Sequence, residues 1–86
     1  MFFVYILKSR KDKKTLYTGY TSDLRKRFKE HNLGLVGWSK LKRPWQIVYY
    51  EAYASRQDAQ KREENLKLRA KAHRQLLNRI KNCLEA

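Results

Sequence analysis

The run FFVYILK, residues 2–8, limits the fold more than any other feature of the chain. It is dense in β-branched and aromatic residues, which reads as a strand. Its apolar residues follow one another without alternation, so the strand is expected at the centre of a sheet, covered on both faces. The chain has 86 residues. A domain of that size buries only about 60–65% of its unfolded surface, so its core is small.

The rest of the sequence supplies partners for that strand. SRKDKK, 9–14, is a polar loop, and TLYTGY, 15–20, a second strand returning antiparallel. Thr21-Ser22-Asp23 offers helix N-caps, and Leu24 and Phe28 mark a short amphipathic helix over 23–32 that Asn32 and Gly34 end. Residues 33–44, with Gly34, Gly37 and Pro44, read as a basic loop, and WQIVYYEAY, 45–53, as a third strand. Ser55 with Asp58 caps a helix over 55–68. Leu76, Leu77, Ile80 and Leu84 mark a last helix over 70–84 with one apolar stripe. The expectation is a single α+β domain, 1–86: a small three-stranded antiparallel sheet, β-β-α-β-α-α, with helices packed against it. The single cysteine, Cys83, is expected at a core-facing position of the last helix, where it acts as a small hydrophobe.

Composition narrows the partner. Lys and Arg number 21 against 8 Asp and Glu, a net charge of +13, and both halves of the chain are basic. Neutralising phosphates releases condensed counterions, so nucleic acid is the favoured partner. An anionic membrane surface is the lesser rival, suggested only by the amphipathic stretch 70–84. No apolar run approaches the roughly 20 residues of a membrane span, and MFFVYILK lacks the layout of a signal peptide. A cytoplasmic protein is expected.

Chemistry concentrates in YTGYTSDLRKRFKEHN, 17–32. A hairpin can bring Tyr5 and Tyr17 onto one face. Gly19 interrupts the second strand, which marks a bulge or a close approach, here expected to clear room for a phosphate. Arg27 and His31 are one helical turn apart on one face. Taken singly, Tyr5 reads as core, Arg27 as a solvated helix residue and His31 as a helix C-terminal residue suited to the dipole. Trp38, with Lys40, Lys42 and Arg43, forms a basic loop able to stack on a base or grip phosphate. The alternative is a solvated loop with Trp38 folded onto the core. Trp45, before the third strand, reads as core.

VYI at 4–6, YTG at 17–19, Thr21, Asp23-Leu24, Arg27 and His31, followed by PWQIVYYEAY and KREENLK, resemble the GIY-YIG nuclease superfamily. The likeness spans about the whole chain and is greatest to its small stand-alone, UPF0213-like members. It implies metal-dependent hydrolysis of DNA phosphodiesters with Mg²⁺ (or Mn²⁺), structured, branched or damaged DNA being candidate targets. It further implies that Glu63 binds the metal and Arg27 stabilises charge on the phosphate. Tyr5, Tyr17 or His31 would orient or deprotonate the attacking water, with the choice among them open. Helical geometry agrees on the carboxylate: Ala59, Glu63 and Leu66 share a face, and Glu64 is about 100° away. Glu51 and Glu64 are the competing carboxylates. The rival readings are a nucleic-acid-binding module of the same fold without turnover, and a protein that pairs through helix 70–84 with another chain or a second copy.

Overall fold

Strand β1, Phe2–Ser9, is the middle strand of a three-stranded sheet ordered β2-β1-β3 in the computed structural model, which describes residues Met1–Ala86. Both neighbours, β2 (Leu16–Thr21) and β3 (Trp45–Tyr53), run antiparallel to it. Val4, Tyr5, Ile6 and Leu7 are all buried, as the unbroken apolar run requires. Successive residues point to opposite faces, so each face takes two of the four.

On one face Val4 and Ile6 meet Ala59 and Leu66 of helix α2 (Arg56–Leu68) and Leu76 of helix α3 (Ala70–Arg79), with Ile80 just beyond it. On the other, Tyr5 and Leu7 meet Trp45, with Leu24 and Phe28 of helix α1 (Leu24–Asn32) against them. Each buried aliphatic side chain contributes about 1.5–3 kcal/mol, so the two layers share the stabilisation. The caps lie where the sequence puts them: Asp23 accepts from the Lys26 amide at 3.1 Å, and Ser55 from the Asp58 amide at 3.3 Å.

The structure departs from the sequence-based expectation in three places. Residues 33–44 are not all loop: Gly37–Lys42 forms a 3₁₀ turn. The Ser39 hydroxyl donates to the Val36 carbonyl, and the Trp45 indole to the Ser39 carbonyl. These tertiary bonds shape a segment too short to show a period. The last helix is not continuous over 70–84 but breaks at Ile80, whose φ/ψ of −106°/23° is not helical, and resumes as α4, Lys81–Glu85. The break lets buried Ile80 and then Leu84 both reach the core. It also leaves Cys83 exposed rather than core-facing, since Leu84 is the residue the last turn directs inward. The apolar stripe Leu76, Leu77, Ile80 and Leu84 is covered by the chain's own sheet. No helix is long and apolar enough to cross a membrane.

Candidate active site

Strand register assembles the centre of the site. Tyr5 lies opposite Gly19 and Leu7 opposite Tyr17, so Tyr5, Gly19 and Tyr17 share the α1 face of the sheet. The two tyrosine rings stack with centroids 6.3 Å apart and planes 25° off parallel. A Cβ on Gly19 would lie 2.5 Å from Tyr5 Oη, 2.7 Å from Tyr5 Cζ and 3.0 Å from Tyr17 Cε1. The expectation that Gly19 clears room for a phosphate is therefore corrected: Tyr5 fills that room, because the register sets its ring directly over the glycine.

Helix α1 starts at the Asp23 cap, two residues past the end of β2, and delivers His31 beneath the tyrosines. His31 is completely buried. Its Nε2 is 2.9 Å from Tyr5 Oη and its Nδ1 2.9 Å from Ser39 Oγ. Its ring centroid is 4.6 Å from that of Tyr17. Burial, with the nearby Arg27 charge, pushes His31 down to about 4, so the imidazole is neutral at physiological pH. Burial, with Tyr17 alongside, pushes Tyr5 up to about 12, partly opposed by Arg27. Arg27, one turn before His31, is 40% exposed and reaches Glu30 at 3.3 Å.

Helix α2 brings the carboxylate. The Glu63 side chain is only 18% exposed, on the same helix face as buried Ala59 and Leu66. Its charge is felt by Tyr5. Lys67 Nζ is 3.1 Å from Glu63 Oε2 and 5.9 Å from the Tyr17 ring centroid, so the ion pair sits over the tyrosine pair. Glu64 is exposed, and lines a separate shallow pocket with Lys61, Asn65 and Arg69. Glu51 is on the opposite sheet face, beside Val4 in the register. It accepts from Tyr49 Oη at 2.6 Å, from Tyr53 Oη, and from Arg62 Nε and Nη2 at 3.0 Å. This network locks α2 onto β3 and leaves Glu51 no free lone pair facing the tyrosines.

The 3₁₀ turn forms the rim. Trp38 is 53% exposed, its ring 5.8 Å from Tyr17 and 6.3 Å from buried Trp45. Lys40 and Arg43 are exposed, and the Arg43 guanidinium lies over Gly34, whose φ is +78°. Lys42 is turned away to Asp12, 3.1 Å off, and belongs to the β1–β2 loop rather than the tyrosine site. The fold thus gathers Tyr5, Tyr17, Gly19, Arg27, His31 and Glu63, with Trp38 at the edge. Two residues of the site escaped the sequence reading. Lys67 was signalled by its i,i+4 spacing from Glu63. Ser39 carried no signal, since its contact with His31 exists only once the 3₁₀ turn forms.

No three His, Cys, Asp or Glu side chains come together as a metal cluster. Glu63 is a single hard oxygen donor, which suits Mg²⁺: that ion keeps several waters and takes one or two carboxylates plus substrate phosphate.

Fold and site define a class of small α+β domains of the GIY-YIG type, with two strand tyrosines, a helix arginine and a carboxylate from the following helix. The profile of the GIY-YIG catalytic domain matches residues 1–79. A UPF0213 protein of Staphylococcus saprophyticus is 39% identical over 66 residues, 76% of this chain and 78% of the relative. One of Clostridium perfringens is 40% identical over 68 residues, 78% of this chain and 71% of the relative. The solution NMR structure of a UPF0213 protein from Bacillus halodurans superposes with a TM-score of 0.55 at 31% identity, covering 91% of this chain and 84% of that one. The chain belongs to the GIY-YIG nuclease family, among its small single-domain UPF0213 members.

Proposed function

We propose that this protein is a divalent-metal-dependent endonuclease that hydrolyses DNA phosphodiesters, with structured or damaged DNA as the target class. The observation that carries the reading is the convergence of Tyr5, Tyr17 and His31 with the Arg27 charge and the Glu63 carboxylate on one small patch. Tyr17, the more exposed ring, orients the attacking water. Tyr5 Oη accepts the water proton while passing its own to His31 Nε2, 2.9 Å away. Tyr5, pushed up to about 12, is un-ionised at neutral pH, so it takes the water proton only in concert with passing its own to His31 Nε2. That proton is held there only transiently, because burial and the Arg27 charge keep His31 down at about 4. The hydroxide attacks phosphorus, the bond to the leaving oxygen breaks, and that oxygen takes a proton from solvent. Arg27 presents a planar donor fork to the charge gathering on the phosphoryl oxygens. Glu63 would hold Mg²⁺ or Mn²⁺ once Lys67 swings off it; the ion supplies Lewis-acid charge at the phosphate. Trp38, Lys40 and Arg43 contact the nucleic acid beside the cut.

One observation favours a second reading. The Glu63–Lys67 pair is satisfied without a metal, as in a binding module of the same fold with no turnover. Plasmid, linear and branched DNA incubated with Mg²⁺, Mn²⁺ or EDTA separates the two. A nuclease cuts only with metal and loses cutting in Arg27→Ala. A binding module retains salt-sensitive DNA binding in every condition and cuts nothing.

A further inference from the structure

We infer that Ser39 is a positioning residue that fixes the tautomer of His31, so that the bare Nε2 faces the Tyr5 hydroxyl as its proton acceptor. The consequence for catalysis rests on the nuclease reading above; the tautomer itself does not.

The protons available to Ser39 and His31 fix the tautomer. Ser39 is completely buried, and its Oγ has two neighbours: the Val36 carbonyl oxygen at 2.6 Å and His31 Nδ1 at 2.9 Å. A carbonyl oxygen has no proton, so the serine's only proton lies between Oγ and Val36 O. The Nδ1 contact must then be made by a proton on Nδ1, with Ser39 Oγ accepting. A neutral imidazole has one N–H. Burial and the Arg27 charge hold His31 neutral, so Nε2 is bare and the 2.9 Å contact is Tyr5 Oη–H donating to it.

The serine is itself held. Its carbonyl accepts the Trp45 indole N–H at 2.9 Å. The Trp45 backbone is clamped by the Asn32 amide, which accepts from Trp45 N at 2.5 Å and donates to Trp45 O at 3.3 Å. Asn32 neighbours His31 on α1, so one clamp ties the serine's turn to the histidine's helix. Without the hydroxyl, a proton on Nδ1 has no partner in a buried place, and the tautomer with the proton on Nε2 becomes the satisfied one. Tyr5 would then accept, and the proton path from the water would be closed.

The test is a two-bond ¹H–¹⁵N correlation spectrum of the full ¹⁵N-labelled chain at pH 7. The chain has two histidines, and the variant His73→Gln assigns the remaining signals to His31. Wild type is expected to show Nδ1 protonated and Nε2 bare. Ser39→Ala is expected to move the proton to Nε2 and to lower kcat by about 10²-fold at unchanged KM, the scale of a lost general-base path. Ser39→Thr keeps a hydroxyl and is expected to retain both the tautomer and the rate. A wild-type spectrum with the proton on Nε2 overturns the assignment, and it does so whether or not Ser39→Ala folds. An unchanged tautomer in folded Ser39→Ala overturns it equally. A wild-type chain with Nδ1 protonated that cuts no DNA overturns the nuclease reading and supports the tautomer assignment.

Discussion

The Cβ that Gly19 lacks would stand 2.5 Å from the hydroxyl oxygen of Tyr5, its partner across the β1–β2 ladder. The glycine is therefore not a hole for substrate but the seat of the Tyr5 ring. Seated there, the ring sends its hydroxyl sideways to His31 and keeps its face against Tyr17. The pairing of the first tyrosine with the glycine is a packing requirement.

Gly19→Ala should accordingly displace Tyr5. We expect a loss of about 1–3 kcal/mol in urea unfolding, as for other overpacked sites, and loss of cleavage in the fraction that remains folded. Combined with Tyr5→Leu, the two losses should fall short of additivity by about 1 kcal/mol, since the double variant no longer contains the clash. A Gly19→Ala protein of wild-type stability would contradict the packing.

If Glu63 holds the metal as proposed, Lys67, 3.1 Å from its Oε2, competes with the ion for the carboxylate. Lys67→Met should lower the Mg²⁺ concentration that gives half-maximal cleavage. Stability should change by less than about 1 kcal/mol, because the lysine is 47% exposed. A higher metal requirement in this variant would place Lys67 as a helper rather than a competitor.

Trp38 leaves about half of its surface open beside Tyr17. Trp38→Ala should weaken binding of a single-stranded oligonucleotide by about 1–3 kcal/mol, about five- to 150-fold. Its unfolding midpoint should stay near that of wild type. Binding by fluorescence anisotropy tests this. Unchanged affinity together with a large stability loss would make Trp38 a lid on Trp45 and nothing more.

His31 should make the fold sensitive to mild acid. Its folded pKa of about 4 lies below the ordinary 6.5. Between those values the unfolded chain holds more proton, so stability falls as pH is lowered through this window, by up to about 3 kcal/mol. Above 6.5 both states are neutral and His31 contributes no slope. Glu51, though partly buried, is held below the usual carboxylate range by Arg62 and two tyrosine hydroxyls, so its stabilising effect is lost only at lower pH. Urea midpoints at pH 7 and pH 5 should therefore differ in wild type and converge in His31→Gln. Equal midpoints in wild type would contradict the buried neutral imidazole.

The sheet and the helix starts were legible because local chemistry announces them. The unbroken run Val4–Leu7 demands cover on both faces, and Asp23 and Ser55 cap the helices they precede. That Glu63 rather than Glu64 turns toward the core was legible, since helical geometry places it on the face of Ala59 and Leu66. The break at Ile80 was not, since the apolar stripe continues through it and only the position of the sheet decides where the helix must bend. Ser39 was not, because its hydroxyl acts on a residue eight positions earlier through a turn that tertiary bonds create. The Lys42–Asp12 pair was not legible either: among so many cations, only the fold tells which one meets Asp12.

Whether Glu63 serves a metal beside the tyrosine pair is decided by one comparison. Wild type and Glu63→Gln, purified identically, are assayed on plasmid and branched DNA with Mg²⁺ and with EDTA, alongside their unfolding midpoints. Metal-dependent cutting by wild type and none by Glu63→Gln is expected, with midpoints that agree closely. Cutting retained in Glu63→Gln, or no cutting by either protein while both bind DNA, would contradict that role for Glu63.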